Sequence, residues 1–340
     1  MLTLEPPDAG WARGPEPRHL EVIVVGAGRM GREHAEAILS LGDEVVAFLD
    51  WDLSRAESAA AQLGGKAAAV GPDLAATIEQ FARAETSVVL IASPSALHVD
   101  HAQAALSLGL PVLLEKPPWV PGQDPAQLLG LKSHGAVLAV GMSTRFNPGV
   151  QAMRSAVRSG SMGTILLASD RVAFTVPPGT LAEWYFDVNQ SGGGVLVTNG
   201  VHSLDRLGWI LDQALHLDKA QLSSEMLKGC ENIAVLELSA GQTQVSVTEL
   251  WAPGPVPPSE LFVLGTTGCC WTDAAGNWRV ACLEEDASGT RPPGYSELVE
   301  QWRAFRGRVV EGDESEVENV LAEIEELVAP MALIEQALRR

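Results

Sequence analysis

Apolar residues in the first 145 positions follow two rhythms. Unbroken apolar runs at 21–25, in the segment closing at Asp50, and at 87–93, 111–116 and 136–142 read as buried strands. Between them, segments reaching Leu41 and spanning 54–63, 73–82, 96–108 and 124–133 carry apolar residues at helical spacing. Repeated strand–helix units predict an α/β, doubly wound parallel sheet covered on both faces over 19–145. From about residue 160 the rhythm changes. Shorter alternations at 164–174, 231–239, 242–250 and 260–264, followed by "CCWTD" and "WRVACL", are separated by turn residues. They predict a second α/β domain over 146–340 with a mostly antiparallel, open-faced sheet. Residues 1–18 form a Pro-rich tail, expected to be flexible.

One turn narrows the first domain further. "EVIVVGAGRMGREHAEAILSLGDEVVAFLD" (21–50) sets Gly26, Gly28 and Gly31 between a strand and a helix, with an aspartate about 20 residues on. This is the dinucleotide-binding arrangement of a Rossmann sheet. Gly26 permits the tight turn, Gly28 lets backbone approach a pyrophosphate, and Gly31 allows close helix packing. Arg29 and Met30 lie within the turn, and the helix start offers unpaired N–H groups to phosphate. Asp50 is expected to accept ribose hydroxyls and to repel a 2′-phosphate, favouring NAD over NADP. Arg55 stands near enough to soften that repulsion. Ligands in such sheets bind at the carboxyl ends of the strands, which groups Ser93, Pro94, Glu115, Lys116 and Met142 on the same rim.

Composition excludes several partners. The formal net charge of −20 argues against nucleic acid and anionic membranes. The acidic run "EGDESEVENVLAEIEELV" reads as a solvated helix face. No stretch reaches the roughly 18 apolar residues of a membrane span, and the N-terminus lacks the pattern of a signal peptide. Cys230, Cys269, Cys270 and Cys282 show neither zinc-ligand spacing nor a disulfide framework. No metal is expected, and a cytoplasmic location is.

Four segments, "VVGAGRMG", "ASPSALHVDHAQAALSLGLPVLLEKPP", "GMSTRFNPG" and "SGGGVLVTNGVHSLD", together resemble the Gfo/Idh/MocA family of NAD(P)-dependent oxidoreductases. They occur in the family's order from about residue 20 to 210. The resemblance implies that Lys116, in the Glu-Lys-Pro motif, lies beside the nicotinamide and the reacting hydroxyl, where a positive charge stabilises developing negative charge. It implies that Ser93 and Pro94 contact cofactor and that His98 is a cap or cofactor neighbour. Arg145 and Asn147 match positions near the cofactor and substrate mouth. A structural ion pair is the competing reading of Arg145, and the familiar pattern has aspartate where Asn147 stands.

The stretch 191–205 reads as a helix starting after the glycines, with Thr198 and His202 four apart and Asn199 three before His202. An alcohol losing hydride must also lose a proton, and histidine suits that task. In the inositol-dehydrogenase branch the position of His202 is a catalytic histidine, but Thr198 stands where that branch has aspartate. Asp205 is either a substitute carboxylate or a structural acid. Trp184 is either a wall against a sugar ring or core packing.

The expected activity is hydride transfer between NAD, less readily NADP, and a secondary hydroxyl or ketone of a sugar, sugar derivative or cyclitol. Lys116 and His202 are the expected catalytic pair. Asn147, Trp184, Thr198 and Asn199 are expected substrate contacts. The alternatives are an NAD-dependent glycosidase of the same family and a non-catalytic NAD-sensing regulator. A homodimer or homotetramer is expected through the open sheet face.

Overall fold

The computed structural model of the chain describes residues 19–83, 86–131, 137–226, 229–283, 286–311 and 320–339. The 1–18 tail, the last two residues of the helix expected to 133, Ala136 and residues 312–319 of the acidic run lie outside the described residues.

Six strands, β1 (Glu21–Val25), β2 (Glu44–Asp50), β3 (Lys66–Ala69), β4 (Ser87–Ile91), β5 (Val112–Leu114) and β6 (Leu138–Val140), form a sheet in the order β3-β2-β1-β4-β5-β6. Every pairing is parallel. Helices α1 (Arg29–Ser40), α2 (Leu53–Leu63), α3 (Leu74–Glu79), α4 (His98–Ser107) and α5 (Ala126–Leu131) connect them. Strand order reverses between β1 and β4, so the ligand crevice of such a sheet opens there. The strands expected at 87–93, 111–116 and 136–142 stop early because their last residues leave the ladder to form loops at that crevice. Strand β3 is absent from the apolar reading. It is a four-residue edge strand, "KAAA", whose alanines carry weak strand preference.

The second sheet has eight strands: β7 (Ile165–Thr175), β8 (His216–Ser223), β9 (Ile233–Ala240), β10 (Thr243–Ala252), β11 (Glu260–Gly265), β12 (Gly268–Asp273), β13 (Asn277–Cys282) and β14 (Asp286–Thr290). Their order is β14-β13-β12-β11-β7-β10-β9-β8. Only β7 and β10 pair in parallel. Helices α6 (Pro148–Arg158), the single turn α7 (Val188–Ser191), α8 (Val201–Leu211), α9 (Glu297–Glu311) and α10 (Val328–Leu338) complete the chain. Val245, Val247, Val263, Cys270 and Val280 are buried on one face of this sheet. On the other, Leu167, Phe262, Leu264, Cys269 and Trp271 remain half-buried, which is the open face the alternation predicts.

The chain does not divide cleanly at residue 145. Trp302 and Phe305 of α9 are fully buried in the core of the first sheet with Val22, Val24 and Phe48. Trp302 Nε1 donates to Asp43 Oδ2 at 2.8 Å, and Arg306 pairs with the same carboxylate at 3.1 Å. Ala322 bridges Val140 at the sheet edge. Within 146–340, α9 and Ala322 thus contact the first sheet. Their apolar faces bury against the first sheet, a contact that local pattern does not encode.

A buried ion pair ties the two sheets together. Arg145, on a short 3-10 turn (Ser143–Phe146) after β6, donates to both oxygens of Asp205 in α8 at 2.9 and 2.5 Å. Its third nitrogen donates to Glu326 at 2.9 Å. Asp205 is thus paired with Arg145. Removing one partner of a buried pair strands the other charge. We expect Asp205→Ala to destabilise the fold by about 3 kcal/mol or more, read as a lower midpoint in urea unfolding followed by circular dichroism.

Candidate active site

The glycine turn is built by close approach. Gly26 has φ +102°, and a Cβ on it would stand 2.5 Å from the Ala92 carbonyl oxygen. A Cβ on Gly31 would stand 1.9 Å from the Gly26 oxygen, so α1 can lie against β1 only with glycine there. Gly28 faces open space and begins α1 with no side-chain cap. An uncapped helix start beside the space a side chain would fill suits a dinucleotide pyrophosphate. Asp50 is buried at the end of β2 and accepts from the N–H groups of Ala27 and Asp52, each at 2.9 Å. It thereby fixes the turn from below and retains lone pairs for a ribose. Beside it Trp51 is 69% exposed. The Arg55 guanidinium sits 5.4 Å from that ring and pairs with Asp52 at 3.4 Å.

The loops after β4 and β5 form the next wall. His98 is buried, with Nδ1 2.7 Å from the Pro117 carbonyl and Nε2 2.8 Å from the Ser93 carbonyl. It joins the Ser93–Pro94 loop to the segment carrying Lys116. His101 Nδ1 lies 2.9 Å from Ser93 Oγ. Burial and the neighbouring His98 push its pKa down to about 4. Glu115 lies 2.7 Å from His34 Nε2. Burial drives the Glu115 carboxyl up, but His34, Lys116 and His98 outweigh it and leave it below the usual range. Lys116 Nζ donates to the Thr198 carbonyl at 2.9 Å. Burial lowers the Lys116 pKa, with Glu115 and Glu249 opposing and Arg29 adding to the fall.

The Thr198 carbonyl belongs to a π-turn (Leu196–Gly200) that runs into α8. The Glu231 carboxylate caps its start, accepting from Gly194 and Leu196 N–H at 2.8 and 3.1 Å. The expected regular helix is therefore corrected at its first turn. A π-turn widens the spacing of the hydrogen bonds from i, i+4 to i, i+5. His202 Nδ1 is buried without a hydrogen-bond partner, and Asn199 Oδ1 is likewise. Burial, then the charges of Lys116 and Arg206, hold the His202 pKa well below the ordinary histidine value.

These parts meet in one cleft of about 540 Å³. Arg29 and Met30 of the glycine turn, Glu115, Lys116, Asn147 and His202 all line it. Asn147 also caps α6, accepting from the N–H groups of Gly149 and Val150, and donates to Glu297. Arg145, Trp184, Ser93, Pro94, His98, Thr198 and Asn199 are not in the lining. Arg145 is spent on Asp205, and Trp184 stacks on Tyr185 with ring centroids 3.9 Å apart. Asp50 and Arg55 stand apart from the cleft at the end of β2. The cleft also contains Asp170 and Arg206, a bidentate buried pair that sequence reading passed over. A signal existed: Asp170 on β7 and Glu249 on β10 are carboxylates at inward positions of alternating strands.

Among the described residues no helix is long and apolar enough to cross a membrane, and no cluster of side chains could hold a metal ion. Residues 20–142 match the model of the GFO/IDH/MocA oxidoreductase family's NAD-binding Rossmann fold, and residues 150–269 match the GFO/IDH/MocA C-terminal domain. The rhizopine catabolism protein MocA of Rhizobium meliloti is 29% identical over 253 residues, 72% of this chain and 75% of that protein. An inositol 2-dehydrogenase of Saccharopolyspora erythraea is 28% identical over 200 residues, which span 58% of this chain and 55% of that enzyme. In fold, the chain is similar to an oxidoreductase from Agrobacterium radiobacter solved with NAD+, L-tartaric acid and magnesium. That likeness has a TM-score of 0.80 at 17% identity over 94% of this chain and 96% of the other. With both of its domains matched and its glycine turn, Glu-Lys-Pro loop and His202 helix facing one cleft, the chain belongs to the GFO/IDH/MocA family of oxidoreductases.

Proposed function

We propose that the protein transfers a hydride between NAD and a secondary hydroxyl, or the corresponding ketone, of a sugar, sugar derivative or cyclitol. The observation that carries this reading is that Lys116 and His202, brought by different sheets, line the same cleft as the glycine turn. NAD, when bound, supplies the hydride acceptor. Gly26, Gly28, Arg29, Met30, Gly31 and Asp50 would hold it, with Ser93, Pro94, His98 and Glu115 shaping the wall beside it. His202 takes the hydroxyl proton: its lowered pKa keeps the ring neutral at physiological pH and ready to accept. The Lys116 ammonium stabilises negative charge on the substrate oxygen. Asn147, in the cleft lining, offers a further polar contact to a polyol. Asp50 favours NAD, because its carboxylate would face a 2′-phosphate.

The same proposal includes a cytoplasmic homodimer or homotetramer. The half-buried apolar outer face of the second sheet and four unpaired cysteines support it.

NADH absorbance across a panel of sugars and cyclitols tests the activity directly. Sugar released without net NADH would indicate glycosidase chemistry instead, and binding without turnover would indicate a sensor. On the substrate found, Lys116→Ala should lower kcat by at least about 100-fold while leaving the calorimetric NAD affinity unchanged. In the oxidation direction His202 must be neutral to act, so activity is present above its pKa and lost below it. That pKa lies below 6.5, so the acid limb of kcat/KM should fall below pH 6.5 and vanish in His202→Asn. The wild type should bind NAD about tenfold or more tighter than NADP, and Asp50→Ala should erase that ratio. Calorimetric titration of each nucleotide provides the readout.

A further inference from the structure

Glu249 lies between Val247 and Trp251 at an inward position of β10, and no part of it reaches solvent. Its Oε1 accepts from Ser203 Oγ at 2.6 Å, and its Oε2 is buried with no hydrogen-bond partner. Ser203 follows His202 directly in α8. A Cβ on Gly200 would stand 3.7 Å from Glu249 Cγ, so the carboxyl lies beneath the π-turn whose Thr198 carbonyl receives Lys116. Two further buried polar atoms without partners, Asn199 Oδ1 and His202 Nδ1, belong to the same turn and helix start.

The charges around Glu249 come from three elements: Asp170 on β7, Arg206 on α8, and Lys116 from the loop after β5. His202 lies beside them on α8. Asp170 and Arg206 satisfy each other through a bidentate contact. Glu249 forms no ion pair among the described residues. Thr198 contributes no charge.

We propose that Glu249 is a positioning residue, packed beneath the turn whose Thr198 carbonyl receives Lys116, that sets how firmly Lys116 holds its proton. Calling Lys116 part of the reacting centre rests on the dehydrogenase reading; the electrostatic link does not. Burial, reinforced by Asp170, pushes the Glu249 carboxyl well above its usual range, and Lys116 and Arg206 pull it back. Its ionisation is thereby coupled to that of Lys116. Ionised, it holds the lysine proton more firmly. Neutral, it leaves Lys116 to the cost of burial.

The test is NMR of protein carrying 13C-labelled lysine, titrated from neutral to alkaline pH. The chain has five lysines, and Lys116→Ala assigns the resonance. In Glu249→Gln, Lys116 should lose its proton about one pH unit lower than in the wild type. Ser203→Ala removes the hydroxyl that favours the ionised carboxyl, so it should move the midpoint in the same direction by less. An unchanged Lys116 midpoint in Glu249→Gln overturns the proposal. Should that variant fail to fold, an unchanged midpoint in Ser203→Ala does so. Neither measurement needs turnover. A protein inactive on every sugar and cyclitol would therefore reject the dehydrogenase reading without touching this one.

Discussion

A lysine ammonium held out of bulk water must find an acceptor, and Lys116 finds the Thr198 carbonyl across the cleft. That contact joins the carboxyl end of the parallel sheet to the π-turn leading into the helix of the second sheet. It places a positive charge of lowered proton affinity opposite a histidine of lowered proton affinity. Burial lowers both, and the Lys116 charge further lowers the histidine's hold on a proton because like charges repel in a poorly solvated space. The cleft therefore combines a group that releases its proton more readily than free lysine with one that stays neutral at physiological pH.

Helix α8 keeps His202 in place by facing two ways at once. Asp205 is bound by Arg145 from the turn after β6, and the next residue, Arg206, binds Asp170 on β7. Two bidentate pairs on successive residues fix the rotation of the helix about its axis. Buried pairs of this kind add little net stability, because desolvation consumes most of the Coulomb gain. Their contribution is orientation: losing either leaves a charge stranded and frees the helix to turn.

Much of this was legible in the chain. Glycines at 26 and 31 stand where the backbone leaves no room for a Cβ, and the Glu-Lys-Pro loop and the glycines before His202 mark the ends of their elements. The competing readings of Arg145 could not be separated from sequence. Its partners lie 60 and 181 residues away, and nothing local distinguishes a paired arginine from a ligand-binding one. Trp184 was undecidable for the same reason. The π-turn was hidden because a glycine-rich, apolar start has the spacing of an ordinary helix.

Family resemblance singled out Lys116 and His202 as candidates; local spacing and residue chemistry by themselves determined the parallel sheet, the dinucleotide turn and the open antiparallel sheet. These follow from short-range sterics and periodic burial, which each segment carries within itself. Only the tertiary structure decided that α9 returns to the first sheet, that Asp205 serves Arg145, and that Glu249 lies under the cleft. Those outcomes depend on which distant side chains share a buried space, and desolvation gives a charge its character only once that space is enclosed.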